Sequence, residues 1–164
     1  MWRVFTSWLR GGLWQRPRAV EPCGWPDRRD AHAGARTPVI ALAASEHDRK
    51  ILTALSGQGP WDVHFADSRV QAWEIVHRFG SPVVLYDRDW PNAEWRTTVH
   101  TFAACPQRPC VILISRVADD YLWQELIRCG GHDLLAKPLR AEDVNRALKL
   151  AWSYWNSSRA AASR

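Results

Sequence analysis

No stretch of roughly 18 consecutive apolar residues occurs in the chain, the length that a membrane-spanning helix requires. Cysteine is scarce, limited to Cys23, Cys105, Cys110 and Cys129. None of the four pairs as C-x-x-C, and none clusters with histidine at zinc spacing, which argues against a zinc ribbon and against a redox motif. Few thiols beside a sizeable apolar content suit a reducing compartment, so the expected location is cytoplasmic. No Gly-rich phosphate loop follows the first strand-like run, which disfavours a nucleotide-binding protein or enzyme of flavodoxin-like shape. The first twenty residues contain no acid, yet Arg10 interrupts any apolar core of a secretory signal.

Apolar residues make up 46% of the 164 positions and charged residues 24%, enough to bury the core of one domain. The net charge of +5 is unevenly placed, because residues 1–36 hold seven arginines against three acids. The remainder is nearly balanced, so the folded part has little electrostatic call on nucleic acid. Residues 1–36 lack a sustained period and are set aside as a disordered or mis-started basic leader. Trp2, Phe5, Leu9 and Leu13 could instead share a face of a surface-anchoring helix, or the segment could be an organellar presequence.

From residue 38 strands alternate with helices. Val39 to Ala44 is a short apolar run, and Ser45 then offers a helix N-cap, with Gly57, Gly59 and Pro60 as the stop. Trp61 to Ala66 reads as a second strand. Asp67 or Ser68 caps a helix with a stripe of Val70, Trp73 and Val76 or His77. Val83 to Tyr86 forms a third strand, followed by a turn at Trp90-Pro91-Asn92 and a helix over residues 93–104. Cys110 to Ile114 is the most strand-like run. A helix over 118–129 carries apolar Tyr121, Leu122, Leu126 and Ile127, and Gly130-Gly131 closes it. Asp133 to Ala136 is a brief fifth strand. The last helix starts near Ala141 and aligns Val144, Leu148, Ala151, Trp152 and Trp155; residues 158–164 read as a frayed tail. Such alternation predicts a doubly wound (βα)5 parallel sheet of flavodoxin-like α/β class. Ligands then bind beyond the carboxyl ends of the strands.

Those ends carry Ala43 and Ala44, Asp87, Ser115 and Lys137. A carboxylate can accept a phosphoryl group, an ammonium can neutralise one of its oxygens, and a hydroxyl can donate to another. No G-x-S-x-G elbow surrounds Ser115, so an esterase is not indicated.

Three stretches now resemble one family, the receiver domain of two-component response regulators. Val83-Val84-Leu85-Tyr86-Asp87, with Pro91 four residues on, resembles its phospho-acceptor strand. Val111-Ile112-Leu113-Ile114-Ser115 resembles the strand ending in Ser or Thr, and Gly130 to Pro138 resembles the stretch ending in Lys-Pro. The expected receiver-like domain is residues 37–157, and the resemblance covers residues 38–156. It implies that Asp87 is the phospho-acceptor, that Ser115 and Lys137 contact the phosphoryl group, and that Lys137–Pro138 is cis. It also implies a Mg²⁺ held by Asp87 and the backbone of Asp89, with a histidine kinase or phosphotransfer protein as partner.

The departures are specific. The family's acidic metal-binding pair is replaced by Ala43 and Ala44, which offer no side-chain oxygen. Glu46 or Asp48 would reach the pocket only if the strand end shifts. Leu134 stands where the family often has a switching aromatic residue, and Trp95 stands where glycine is usual, enlarging the pocket rim. His47 reads as a solvated helix residue. Trp152 and Trp155, with Tyr154, read as core or as a docking face. The expected function is a single-domain receiver in phosphorelay signal transduction, not an enzyme, without a DNA-binding domain and acting on a downstream protein. The alternative is a pseudo-receiver that binds no Mg²⁺ and works as a phosphorylation-independent interaction module.

Overall fold

The computed structural model describes residues 36–91 and 94–162. The leader expected over residues 1–36, Cys23 and Asn92 of the proline turn therefore lie outside the described residues, Arg36 excepted. Five strands alternate with five helices: β1 (Thr37–Leu42), α1 (Glu46–Gln58), β2 (Trp61–Phe65), α2 (Arg69–Phe79), β3 (Val83–Asp87), α3 (Trp95–Ala103), β4 (Cys110–Ser115), α4 (Asp120–Arg128), β5 (Asp133–Ala136) and α5 (Ala141–Ala162). The strands form one sheet in the order β2-β1-β3-β4-β5, and every pairing is parallel. The expected doubly wound flavodoxin-like sheet is what forms.

Both faces of the sheet are covered, which is why its strands read as continuous apolar runs. Val39 and Ala41 point to the layer with Leu52 of α1 and Val144 and Leu148 of α5. Ile40 and Leu42, one residue out of phase, point to the layer with Ala72 and Val76 of α2, Val99 and Phe102 of α3, and Leu122 and Leu126 of α4. Each fully buried aliphatic side chain contributes roughly 1.5–3 kcal/mol, so the two layers together fix the strand register. Helix starts follow local chemistry. Ser45, Ser68 and Asp119 each accept a hydrogen bond from an amide three residues on. Gly80 ends α2 at φ 66°, a conformation that favours glycine.

Four expectations need correction. The buried face of α2 is Ala72 and Val76, with Ile75 packed beside them, whereas Val70 and Trp73 are exposed. Trp73 is satisfied on the outside by stacking on His77, with ring centroids 5.0 Å apart. On α4, Leu122 and Leu126 are buried but Tyr121 and Ile127 are exposed, so the sheet-facing stripe is narrower than its apolar content. The tail does not fray at residue 158: α5 continues through Ala162. There the Ser157 hydroxyl donates to Ser153 O, and Arg159 lies over the Trp155 ring. Trp95 does not widen a rim. It is buried as the first residue of α3, in the core with Val99 and Phe102. His47 is exposed, as expected. Trp152 and Trp155 pack partly buried against the α1/α5 layer, and the Trp155 indole donates to Gln107 O (3.2 Å), while Tyr154 is exposed.

Candidate functional site

The chain crosses from one face of the sheet to the other beside β1, so the crevice lies where β1 and β3 end, the usual ligand position of such sheets. β3 delivers Asp87 there. Its register with Ile114 of β4 and the Arg88 N–H to Ile114 O bond (2.8 Å) pin the strand end. Ser115 sits opposite Ala136, and the Lys137 amide donates to Ser115 O (2.9 Å), so β5 places Lys137 one step beyond its own end. The Lys137–Pro138 bond is cis.

Asp87 and Lys137 meet. The Lys137 ammonium donates to Asp87 Oδ2 at 2.7 Å. The same oxygen accepts from the Ala44 amide at 2.9 Å, and Oδ1 accepts from the Asp89 amide at 3.0 Å. Both carboxylate oxygens are thus engaged by the chain itself, and the Asp87 side chain is 0% exposed. A fully buried carboxylate is tolerable only with such partners. Ser115 is buried at the neighbouring strand end, but its hydroxyl oxygen is turned to the Val117 amide (3.2 Å).

Asp48, expected at the pocket only if the strand end shifts, does reach it. The strand β1 stops at Leu42, two residues short of the run read from composition. Helix α1 therefore begins close to the crevice, and its first turn turns Asp48 inward: Oδ2 lies 3.1 Å from Lys137 Nζ, and the side chain is 3% exposed. Spacing could have revealed it, because Asp48, Leu52 and Leu55 are the buried residues of α1 and share one face at helical intervals. Asp89 completes the cluster with its carboxylate as well as its backbone amide. Its Oδ2 lies 3.5 Å from Lys137 Nζ and 3.2 Å from Nε of Arg116, at the rim.

Burial of the Lys137 ammonium works against its charge, but the hydrogen bond to Asp87 and the close Asp48 carboxylate outweigh that and hold its pKa above the ordinary lysine value. The cation of this pocket is therefore a side chain. Ala43 and Ala44 supply no side-chain oxygen, and one oxygen each of Asp48, Asp87 and Asp89 already lies within 3.5 Å of the ammonium. Among the described residues, no three His, Cys, Asp or Glu side chains are arranged to hold a metal ion. These residues do not fit a resident Mg²⁺ while Lys137 is charged. Two surface clefts lie elsewhere: one of 290 Å³ between α2 and α3, lined by Arg69, Trp73, Thr98 and Phe102 among others, and one of 560 Å³ beside Arg49 and Phe65.

Solved structures agree on the class of fold. The chain is similar to the signal receiver domain of a putative LuxO repressor protein from Vibrio parahaemolyticus, with TM-score 0.68 and 17% identity over 77% of this chain and 97% of that one. It is also similar to the chemotaxis protein CheY4 of Vibrio cholerae, with TM-score 0.65 and 18% identity over 71% of this chain and 99% of that one. A third is the receiver domain of an HD domain-containing protein from Pseudomonas fluorescens, with TM-score 0.65 and 20% identity over 74% and 98%. No family model and no curated protein matches the sequence. At these identities the likeness establishes the receiver fold. No helix among the described residues is long and apolar enough to cross a membrane.

Proposed function

We propose that this chain is a receiver-fold signal-transduction module whose pocket is closed by its own side chains, and that it acts by protein contact without phosphorylation. The observation that carries this is the state of Asp87. A phosphoryl acceptor must present an oxygen to the incoming phosphorus, in line with the leaving group. Here the side chain is 0% exposed and both oxygens are held by Ala44, Asp89 and Lys137. The proposed partner is a protein, met through exposed apolar side chains such as Tyr121 and Trp123 of α4 and Leu150 and Tyr154 of α5. No catalytic turnover is assigned, and the proposed location is cytoplasmic.

A second reading keeps Asp87 as a phospho-acceptor served by a histidine kinase or phosphotransfer protein. It is favoured by Lys137 on the Asp87 carboxylate and by Ser115 at the adjoining strand end. In that reading Lys137 would neutralise a phosphoryl oxygen and the Ser115 hydroxyl would rotate to donate to another.

The two readings separate in one titration. Trp90 follows Asp87 by three residues and its amide donates to Asp87 O at 3.0 Å, which ties the turn that carries this indole to the strand end. The protein is mixed with Mg²⁺ and either a small phosphodonor or beryllofluoride, and tryptophan fluorescence is followed. The expected result is no saturable change, with wild type and Asp87→Asn alike. A saturable, Mg²⁺-dependent change that disappears in Asp87→Asn would establish the phospho-acceptor reading instead.

A further inference from the structure

Asp48 is an expensive residue to place where it is. It lies on the face of α1 that carries Leu52 and Leu55, packed toward the sheet, and a carboxylate there must be compensated. Its Oδ2 is buried and has no hydrogen bond, yet it lies at ion-pair distance from Lys137 Nζ, 3.1 Å. The same ammonium is 2.7 Å from Asp87 Oδ2. Two buried carboxylates from different elements, one in a helix and one at a strand end, thus share a single ammonium. The Lys137 side chain is itself only 10% exposed.

We propose that Asp48 and Lys137 stand in for a divalent ion: the α1 carboxylate fixes the ammonium against Asp87, and the charged ammonium keeps Mg²⁺ out of the pocket. The proposal rests on the reading of the pocket as closed, and goes further by naming the residues that close it. The reasoning is geometric. Mg²⁺ demands oxygen ligands at roughly 2.0–2.1 Å in near-octahedral array. Any ion seated on Asp48 Oδ2 and Asp87 Oδ2 would lie within a few ångströms of the ammonium that touches both. Repulsion between a dication and an ammonium at that range is several kcal/mol even at an effective dielectric constant of about 20, and it offsets part of the attraction of the two carboxylates, whose charge the ammonium has already half neutralised. The ammonium also satisfies both acids through one compact charge, which a guanidinium fork or a neutral amide would not do as closely. Asp48 acts through Lys137, so it is a positioning residue. Its role predicts a gain of binding when the lysine is lost, which mere packing would not produce.

The test uses the full chain as wild type, Lys137→Met, Asp48→Ala and the Lys137→Met/Asp48→Ala double variant. Free Mn²⁺ is counted by electron paramagnetic resonance, and Tm is measured with and without Mg²⁺ or Mn²⁺. Wild type and Asp48→Ala should show no saturable binding and no metal-dependent change in Tm. Lys137→Met should gain both, because ligands that bind only the folded state raise its Tm. Even outer-shell losses cost roughly 10–100-fold in metal affinity, so removing Asp48 from Lys137→Met should weaken the gained site by at least that much. Saturable Mn²⁺ binding by wild type would overturn the proposal. So would a Lys137→Met protein that folds and binds nothing, or a double variant that binds as tightly as the single one. If Lys137→Met does not fold even with metal, Lys137→Gln, which keeps a neutral donor toward Asp87, is read by the same criteria. A wild type that accepts a phosphoryl group on Asp87 while binding no Mn²⁺ would remove the closed-pocket reading and leave the Asp48–Lys137 clamp in place.

Discussion

The two ends of one sheet bury opposite kinds of residue. At the end where the strands begin, Trp61 is buried with its indole donating to Asn145 Oδ1 at 2.8 Å, and the Ser81 hydroxyl donates to Pro38 O and Val83 O at 3.0 and 3.2 Å. Every one of these partners is neutral. At the end where the strands stop, the neutral Ser115 is buried too, but beside it lie three charged groups that are buried or nearly so, Asp48, Asp87 and Lys137. Neutral hydrogen bonds over an apolar core add stability at modest risk. Buried charges add little net stability over an apolar replacement and leave a large penalty when one partner is lost. The first end is built to hold the sheet together, and the second holds chemistry that the fold tolerates.

The largest effect tests the neutral end. Trp61→Ala should cost about 3–5 kcal/mol, the usual range for emptying a buried aromatic site, read as a lower midpoint in urea with an unchanged slope. Because the indole does not titrate, that loss should be the same at neutral and at alkaline pH. A loss below about 1 kcal/mol would mean the site collapses freely, and the contrast between the two ends would fail there.

The charged end should lose less and should respond to pH. Lys137→Met leaves two buried carboxylates without their ammonium, a cost of about 3 kcal/mol at neutral pH, near the lower bound for breaking a buried pair because the lysine is not wholly enclosed. The folded-state pKa of Lys137 is raised above the ordinary 10.5. Its contribution is therefore complete below that value and disappears as pH rises through the folded pKa. Wild type and variant should converge in stability as pH climbs above 10.5. Burial also raises the pKa of Tyr86 and pushes the Cys110 thiol up to about 11, which weakens both proteins in the same direction and cancels in the difference. A gap between the two proteins that stays constant with pH would show that the lysine acts through packing of its methylenes rather than through its charge.

Much of this was legible beforehand, and the reason differs by region. Strands buried on both faces read as apolar runs whatever packs on them, so β1, β3 and β4 stood out, and the residues after them followed. Asp87 and Lys137 were identified because strand-end position is set by the run itself. Asp48 was named only conditionally and beside Glu46, because an acid in the first turn of a helix is ordinarily a solvated partner of the helix dipole. Only the phase of α1, with Leu52 and Leu55 on its face, separates an inward aspartate from an outward one, and that phase depends on where β1 stops. The same weakness affected α2, where Val70 and Trp73 have the right spacing but the wrong phase, and small Ala72 takes the sheet-facing position. The end of α5 was missed because Ser-rich composition reads as a stop, whereas Ser157 is accommodated by bonding back to Ser153 O.

The smallest stability effect falls on the lip of the charged end and carries the most functional information. Arg116 is 79% exposed and its Nε lies 3.2 Å from Asp89 Oδ2, an ion pair across the approach to Asp87. Exposed pairs of this kind contribute roughly 0–1 kcal/mol, so Arg116→Ala should shift the urea midpoint by less than the equivalent of about 0.5 kcal/mol. Two layers seal Asp87: this rim pair, and the inner contacts from Ala44, Asp89 and Lys137. If the inner layer is sufficient, Arg116→Ala should remain silent with beryllofluoride and Mg²⁺, its tryptophan fluorescence matching that of wild type. If instead the variant responds in a saturable way, the seal is the rim alone, and the charged end is an ordinary receiver pocket closed by a removable pair. In that event Asp89→Ala, which breaks the same pair from its other side, should respond as well, while Lys137→Met should not.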